Sequence, residues 1–200
     1  MIIYLVRHGE TDYNKDFKLQ GWVDIPLNEN GIELAKKTAE GMKNISFDAV
    51  FSSPLIRAYT TAEIIVSNRN INIEKDDRLK EIGFASHEGD SLANVINDKN
   101  HPVHNFACNP GEYNPTDGSE SFEDVKERAD EFLREKIIPI EKKCQNVLIV
   151  AHGYLNLSII YSILGIKKEN FWEIQLLNCA VSIISLENFA KLTPRTASTF

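Results

Sequence analysis

The chain has 200 residues, 42% of them hydrophobic, so it carries enough apolar surface for a core and is not a disordered chain. Its formal net charge of −7 excludes a general binder of nucleic acid or of anionic membranes, although an anionic substrate requires only local positive charge. No apolar run is long enough for a membrane span or a signal peptide, and three scattered cysteines indicate neither a disulfide framework nor a thiolate zinc site. We therefore expect a cytoplasmic protein.

The first predicted element is a strand at residues 2–6, where the chain is apolar and β-branched. Residues 7–27 are polar and contain glycine and proline, which is typical of a loop. Asn28 is a favoured residue type for a helix N-cap, and apolar residues recur at helical spacing after it. The sequence therefore predicts a helix over about residues 29–42.

A second strand is predicted at residues 48–52. Directly after it, Ser53-Pro54 combines a capping hydroxyl with a proline at the first helical position. This pair predicts the start of a helix that continues to about Val66. Residues 71–73 contain two isoleucines and are a candidate for a short third strand.

Residues 83–118 contain several glycine, proline and asparagine residues and one weakly periodic patch at residues 92–96. They predict an irregular excursion across the surface with one short helix. A long insertion of this kind in a compact domain is commonly functional, so we expect residues 83–118 to form a lid over a ligand site.

A long helix is predicted from a cap at Ser119 or Ser121 to about residue 143, and Pro139 should kink or end it. The remaining predicted elements are a strand at residues 146–150, a buried helix at 154–164, a strand at 180–186 and a loose tail at 193–200. Strands that alternate with helices favour an α/β fold with a mostly parallel sheet, and no linker divides the chain, so we expect one domain over residues 1–200.

Two predicted strands end in the same way, because the first runs into Arg7-His8-Gly9 and a later one into Ala151-His152-Gly153. In parallel α/β sheets the ligand crevice lies beyond the carboxyl ends of the strands. A third strand leads into a helix that carries Arg57. Arginine presents planar, bidentate donors suited to phosphate oxygens, and a neutral imidazole is a good nucleophile toward phosphorus. The sequence therefore predicts a small basic pocket in an acidic protein.

Further motifs extend this pattern across residues 3–153. In chain order they are Leu5-Val-Arg-His-Gly-Glu-Thr11, Leu19-Gln-Gly-Trp22, Phe51-Ser-Ser-Pro-Leu-Ile-Arg-Ala58, Leu79-Lys-Glu81 with Glu88-Gly89, Gly118-Ser-Glu-Ser121 and Val150-Ala-His-Gly153. Together they resemble the histidine phosphatase superfamily in its phosphoglycerate-mutase-like branch. The resemblance implies a three-layer α/β/α sandwich with a mostly parallel central sheet.

The resemblance also implies a role for each matching residue. His8 would be the nucleophile that is transiently phosphorylated, with the proton on its other ring nitrogen held by a backbone acceptor. Glu81 would protonate the leaving oxygen and then deprotonate water. The residues expected to bind the phosphoryl group are Arg7, Asn14, Gln20, Gly21, Arg57, Glu81, His152 and Gly153. No metal or cofactor is implied, because arginines and histidines supply the positive charge.

Several assignments leave an alternative open. Glu88 competes with Glu81 for the acid role, although its Glu-Gly turn matches a structural position of the family. His101 and His104 form an H-x-x-H pair that could bind a metal, but we expect surface histidines, because no third ligand is evident. The sequence departs from the family at Ala85, His87 and Tyr154. Trp22 is expected to anchor a loop rather than to bind substrate.

The leading hypothesis is a metal-independent phosphatase that acts on a small phosphomonoester. A phosphoglycerate mutase is the first alternative, although the acid segment lacks the His-Tyr-Gly sequence of such mutases. A non-catalytic protein that binds a phosphorylated ligand is the second. Residues 83–118 contain a single lysine and no arginine, which disfavours a second phosphate site there. The sequence does not define the substrate or the oligomeric state.

Overall fold

Five strands form one sheet in the computed structural model of the protein, which describes residues 1–115, 118–164 and 174–186. They are β1 (Ile2–Arg7), β2 (Ala49–Ser52), β3 (Ile73–Lys75), β4 (Asn146–Ala151) and β5 (Val181–Ser185). The order across the sheet is β3-β2-β4-β1-β5, with β5 antiparallel to β1 and all other pairs parallel. The predicted α/β class with a mostly parallel sheet is confirmed.

The described helices are α1 (Asp12–Lys15), α2 (Glu29–Gly41), α3 (Ile56–Val66), α4 (Leu92–Asn97), α5 (His104–Cys108), α6 (Phe122–Phe132) and α7 (Gly153–Leu164). No helix in these described ranges is long and apolar enough to cross a membrane.

The sheet has a separate apolar core on each face because side chains alternate along its strands. Ile3 and Leu5 of β1 belong to the core that contains residues of α6 and α7. Tyr4 and Val6 belong to the other core, with residues of α3 and with Met42 just beyond α2. Helices therefore cover both faces, which confirms the predicted three-layer arrangement.

Helix α3 begins later than predicted, at Ile56 rather than at Ser53-Pro54. The Ser53 hydroxyl hydrogen bonds to His152 and accepts from the N–H of Leu55, the residue before the helix. The first turn is capped from a distance, because the Asp24 carboxylate accepts a hydrogen bond from the Ile56 N–H at 2.6 Å. A carboxylate at a helix N-terminus satisfies a free donor and complements the helix dipole. This cap depends on the tertiary fold, so local sequence gave no sign of it.

The predicted long helix from Ser121 is α-helical only as far as Phe132. A π-helical turn at Leu133–Ile137 and a 3₁₀ turn at Ile138–Ile140 follow it. Pro139 cannot donate to the carbonyl one turn earlier, and its ring crowds that carbonyl, so the winding changes before the proline is reached. Ser121 rather than Ser119 is the N-cap, and its hydroxyl accepts from the Asp124 N–H.

Three further predictions need correction. The third strand is Ile73–Lys75 rather than residues 71–73, because its backbone pairs with β2 through polar residues. The loop predicted at residues 7–27 contains the short helix α1, and β1 extends to Arg7. The segment 83–118 has two short helices, α4 and α5, where one was expected. The predicted loose tail at residues 193–200 lies outside the described residues.

Candidate active site

The two Arg-His-Gly and Ala-His-Gly turns lie side by side. β1 and β4 are adjacent and parallel, and Arg7 pairs with Ala151 at their ends. His8 and His152 therefore leave the sheet at the same edge, and their ring centroids are 5.1 Å apart with an interplanar angle of 59°. The topology thus brings together two histidines that are far apart in sequence.

His8 is held in one tautomer by the backbone. Its Nδ1 lies 2.7 Å from the carbonyl oxygen of Gly9, which can only accept, so Nδ1 carries the proton and Nε2 keeps a free lone pair. Burial, with the positive charges of Arg57 and Arg7, lowers the pKa of His8 well below 6.5, so the ring is neutral at neutral pH. A side chain at Gly9 would not fit, because its Cβ would lie 2.6 Å from the Gly31 carbonyl oxygen.

His152 is fully buried beside His8. Its Nε2 is 2.8 Å from the Ser53 hydroxyl, which itself accepts from the Leu55 N–H. All three groups are satisfied if the hydroxyl donates to Nε2, which leaves the ring proton on Nδ1. That Nδ1 is buried and has no hydrogen-bond partner among the described residues. Burial first, and then the charge of Arg57, lowers the pKa of His152 well below 6.5.

Arg7 and Arg57 both line the cavity beside His8. Arg57 is fully buried and donates to the carbonyls of Val23 and Gly21 at 2.8 and 2.7 Å, whereas Arg7 donates to the Leu176 carbonyl at 2.5 Å. The Nε of each arginine is buried without a partner in the described part of the chain. Burial lowers the pKa of Arg57 to about 10, so its side chain stays charged at neutral pH.

The loop that follows β1 brings more of the predicted residues to the same cavity, namely Asn14, Gln20 and Gly21. The Gln20 side-chain oxygen accepts from the Thr11 hydroxyl at 2.9 Å. Gly21 has a left-handed φ of 54°, and a Cβ there would lie 2.1 Å from the Glu88 carboxylate. Only glycine therefore allows Glu88 to approach this turn so closely.

Glu81 lies in the cavity and accepts three backbone hydrogen bonds. The donors are the N–H groups of Ile82, Tyr154 and Leu155, at 3.0, 3.2 and 3.1 Å. The last two belong to the first turn of α7, so the carboxylate also caps that helix. A Cβ at Gly153 would lie 3.6 Å from both Glu81 Oε2 and Arg7 Nε, which places these two groups around one point.

Glu88, the alternative acid, is occupied elsewhere. Its carboxylate accepts from the backbone N–H groups of Trp22 and Val23, both at 2.7 Å, and it does not line the cavity. The geometry therefore favours Glu81 for the acid role and gives Glu88 the task of holding the loop after Gln20. Trp22 anchors the same loop, because its indole N–H donates to the Glu81 carbonyl at 2.7 Å.

The three departures from the family have distinct settings. Ala85 adopts a left-handed φ of 48°, a conformation that suits glycine better. Tyr154 lines the cavity and also stacks on Phe122, with centroids 4.8 Å apart and an angle of 13°. His87 faces Asp90, with Nδ1 3.2 Å from the carboxylate.

The two histidines of the H-x-x-H motif, His101 and His104, bond to different groups. His104 hydrogen bonds to the Val95 carbonyl, whereas His101 Nε2 lies 3.2 Å from Asp90, near His87. His87, Asp90 and His101 could hold a metal by proximity alone. The Val103 N–H donates to His101 Nδ1, however, so Nε2 carries the proton and donates to Asp90. In this tautomer the His101 ring has no lone pair toward a metal, and the cluster links parts of the 83–118 segment by hydrogen bonds.

Two residues that the sequence did not indicate form hydrogen bonds with residues of the site. Arg128 donates to the carbonyls of Arg78, Lys80 and Glu81. Asn178 donates to Asn14 Oδ1 at 3.1 Å and lines the cavity. No local sequence pattern distinguishes Arg128 or Asn178 from other polar residues. Of the three cysteines, Cys179 is buried, Cys144 is partly buried and Cys108 is exposed.

A family model for the histidine phosphatase superfamily (branch 1) matches residues 3–193. The chain belongs to this superfamily. A putative phosphoserine phosphatase 2 from Hydrogenobacter thermophilus is 32% identical, over 92% of this chain and 89% of that protein. A 2,3-bisphosphoglycerate-dependent phosphoglycerate mutase from Bifidobacterium longum is 28% identical, over 96% of this chain and 89% of that protein.

The fold of the superfamily is shared as well. The solved structure of an alpha-ribazole phosphatase from Shigella flexneri matches with a TM-score of 0.84 at 26% identity, over 94% of this chain and 92% of that chain. Both the predicted family and the predicted enzyme class, a histidine phosphatase, are confirmed by these matches.

Proposed function

We propose that this histidine phosphatase hydrolyses a small-molecule phosphomonoester, without a metal, through a phosphohistidine intermediate on His8. The observation that carries the proposal is that two arginines of the cavity beside His8, Arg7 and Arg57, each have a buried Nε–H group without a partner among the described residues. Buried donors that lack partners are costly unless a ligand satisfies them. Around a neutral His8, a dianionic phosphoryl group is the ligand that they suit.

In the first step, the Nε2 lone pair of His8 attacks phosphorus, and the bond from phosphorus to the ester oxygen breaks. Glu81, protonated at this stage, gives its proton to the leaving oxygen, so the product is a neutral alcohol. The Nδ1 proton stays on the ring and is held by the Gly9 carbonyl. Arg7 and Arg57 stabilise charge on the phosphoryl oxygens as the group transfers.

In the second step, a water oxygen attacks phosphorus and the bond from phosphorus to Nε2 breaks. Glu81 accepts the proton of the water and is ready for another turnover, while the lone pair returns to Nε2. The backbone N–H groups of Tyr154 and Leu155 hold the carboxylate in place for both transfers. The balance is one ester and one water converted to one alcohol and one phosphate.

We also propose that residues 83–118 act as a lid on a single domain. Phe84, Leu92 and Phe106 of this segment line the cavity above the phosphate-binding residues. The backbone carbonyl of Asp90 accepts a hydrogen bond from the Leu19 N–H. The Asp90 carboxylate forms hydrogen bonds with the rings of His87 and His101. Hydrogen bonds thus connect parts of the segment to one another and to the loop after β1. In this position the segment limits the size and shape of the leaving group that can enter.

A mutase remains the competing activity, because a relative that is 28% identical carries that name. It would use the same His8 but return the phosphoryl group to another oxygen of the substrate. Two phosphate subsites would then require a second group of cations. Among the described residues that line the cavity, Lys18 is the one lysine or arginine besides Arg7 and Arg57. This favours hydrolysis over transfer.

The direct test is phosphate release from 4-nitrophenyl phosphate in excess chelator. We expect full activity with chelator and a loss of about a thousandfold or more in His8→Ala. The matched control is His104→Ala, whose ring bonds to a backbone carbonyl outside the cavity. Activity that disappears with chelator would contradict the metal-free mechanism, and faster interconversion of 3- and 2-phosphoglycerate than phosphate release would favour the mutase.

A further inference from the structure

The cavity that contains the phosphate-binding residues is much larger than a phosphate. It has a volume of about 590 Å³, which is in the range of sites for whole small molecules. The charged and polar residues described above form one part of its lining. A second part, the apolar wall, includes Phe17, Leu19, Phe84, Leu92, Leu157 and Leu177. The cavity therefore suits a ligand that has both a phosphoryl group and an apolar part.

Phe17 occupies a costly position at this wall. Its φ of 52° lies in the left-handed region, where a large aromatic residue is strained and glycine or asparagine is preferred. Its side chain is 71% exposed, so it gains little from burial in the folded protein. An exposed phenylalanine on a strained backbone contributes little to folding, so the position points to ligand binding.

The backbone of Phe17 connects the phosphate-binding residues of the cavity to the lid. Its N–H donates to the carbonyl of Asn14 at 3.1 Å, and its carbonyl accepts from the Leu92 N–H at 2.8 Å. The backbone of Phe17 is therefore held relative to both the loop that carries Asn14 and helix α4.

Leu177 supplies a second exposed apolar side chain to the same cavity, with 73% of its surface accessible. Its neighbours in sequence are part of the site, because Leu176 accepts from Arg7 and Asn178 donates to Asn14. Leu177 is thus held near the phosphate-binding residues while its side chain remains uncovered. Two large apolar side chains left open at one cavity indicate a surface that a ligand covers.

The described residues of the cavity offer few cations to a leaving group. Besides Arg7 and Arg57, Lys18 is the one lysine or arginine among them, and its ammonium is 4.0 Å from Asp16 and 5.3 Å from the centroid of Tyr13. A carboxylate on the leaving group would lose hydration and find, among these described residues, only a lysine that already has an acidic neighbour. An apolar leaving group would lose nothing and would cover Phe17 and Leu177.

We propose that the cavity selects phosphomonoesters of uncharged, apolar alcohols, such as aralkyl phosphates, over esters whose alcohol carries a carboxylate. This inference rests on the proposed phosphatase function, since it defines the leaving group of that reaction. Phe17 and Leu177 are the specificity-determining residues. The reaction that consumes the product must accept an apolar alcohol.

The first test measures binding without catalysis. Isothermal titration calorimetry compares 3-phenylpropylphosphonate with propylphosphonate, which share the same phosphonate and differ by a phenyl ring. We expect the phenyl compound to bind about tenfold more tightly or better, as burial of an aromatic ring predicts. Equal or weaker binding of the phenyl compound would overturn the inference.

The second test measures kcat/KM for 2-phenylethyl phosphate, ethyl phosphate and O-phosphoserine, all esters of primary alcohols, so that leaving-group reactivity is similar. The expected order is phenylethyl, then ethyl, then phosphoserine. A preference for phosphoserine would overturn the inference while the phosphatase function stands. Tight phosphonate binding without hydrolysis of any ester would instead contradict the proposed function.

Substitutions test whether Phe17 and Leu177 cause the preference for the apolar leaving group. In Phe17→Ala and Leu177→Ala, the ratio of kcat/KM for phenylethyl phosphate to that for ethyl phosphate should fall at least threefold toward one. The matched control is Ile96→Ala, because Ile96 is 45% exposed on α4 but does not line the cavity. Phe17→Gly should lose the same discrimination while its Tm holds or rises, since glycine relieves the backbone strain. An unchanged ratio in all three variants of the wall would overturn the inference.

Discussion

The guanidinium of Arg128 donates to the backbone carbonyl of Glu81 at 2.9 Å. The same side chain binds the carbonyls of Arg78 and Lys80, and it is oriented by two hydrogen bonds to Glu120. Helix α6 thus fixes the segment that delivers the proposed acid to the cavity. Arg128 does not line the cavity and is a positioning residue.

Replacing Arg128 by Gln should therefore lower kcat by about 10- to 100-fold, because small displacements of a catalytic group are expensive. The loss should be large for ethyl phosphate, whose leaving oxygen needs a proton, and much smaller for 4-nitrophenyl phosphate, whose leaving group does not. Lys126→Gln on the same helix is the control, since that side chain pairs with Asp130 at the surface. Equal losses for both substrates would point to a purely structural role.

The left-handed backbone of Ala85 predicts a substitution that stabilises the protein. Ala85→Gly should raise the free energy of unfolding by about 1 kcal/mol, because glycine adopts this conformation without a Cβ clash. In a chain of this length the change corresponds to about 2–4 °C in Tm. Ala39→Gly, inside helix α2, should lower Tm instead, and a fall in Tm for Ala85→Gly would contradict the account.

The buried histidines make stability depend on pH. Burial lowers the pKa of both His8 and His152 well below 6.5, so below that pH the unfolded chain binds more protons than the folded one. Their contribution is complete above pH 6.5 and is lost as the pH falls, by up to about 1.4 kcal/mol per pH unit for each histidine.

Urea unfolding at pH 7.5 and 5.5 tests this sign. The loss of unfolding free energy on acidification should be smaller in His152→Gln than in the original protein. His104→Gln, which removes a histidine that bonds to the Val95 carbonyl, should leave the loss unchanged. The same loss in all three proteins would show that the buried ring is not held neutral.

The net charge of −7 should oppose the approach of a dianionic substrate to its basic pocket. Added salt screens this repulsion, so kcat/KM for ethyl phosphate should rise with the first additions of sodium chloride and fall only when anions compete. Stopped assays between 10 and 300 mM salt would show this maximum. A decline from the first addition would mean that local positive charge already dominates steering.

Sequence patterns predicted the parts of the fold that local chemistry determines. The apolar runs of β1 and β4 and the Asn28 cap lie where they were expected. The start of α3 was misplaced because its cap is Asp24, a residue 32 positions earlier. The end of α6 was misplaced because Pro139 alters the winding several residues before itself.

The candidate site also contains residues that local sequence indicates and residues that it does not. The strand ends supply His8 and Arg7, which pattern and resemblance both indicated. Asn178 and Arg128 reach the site from positions that only the folded chain brings near. The groups that they bind in the site are backbone carbonyls and a side-chain amide, and such contacts leave no periodic or compositional trace in a sequence.

The phosphohistidine on His8 is the central claim, and trapping it is the most direct test. The protein is mixed with ³²P-labelled substrate and quenched with alkali within one turnover, and the labelled peptide is then sequenced by mass spectrometry. We predict a phosphate on His8 that is stable to alkali and labile to acid, and no label in His8→Ala. A label on a carboxylate or hydroxyl side chain, or turnover with no phosphoenzyme at any time, would contradict the mechanism.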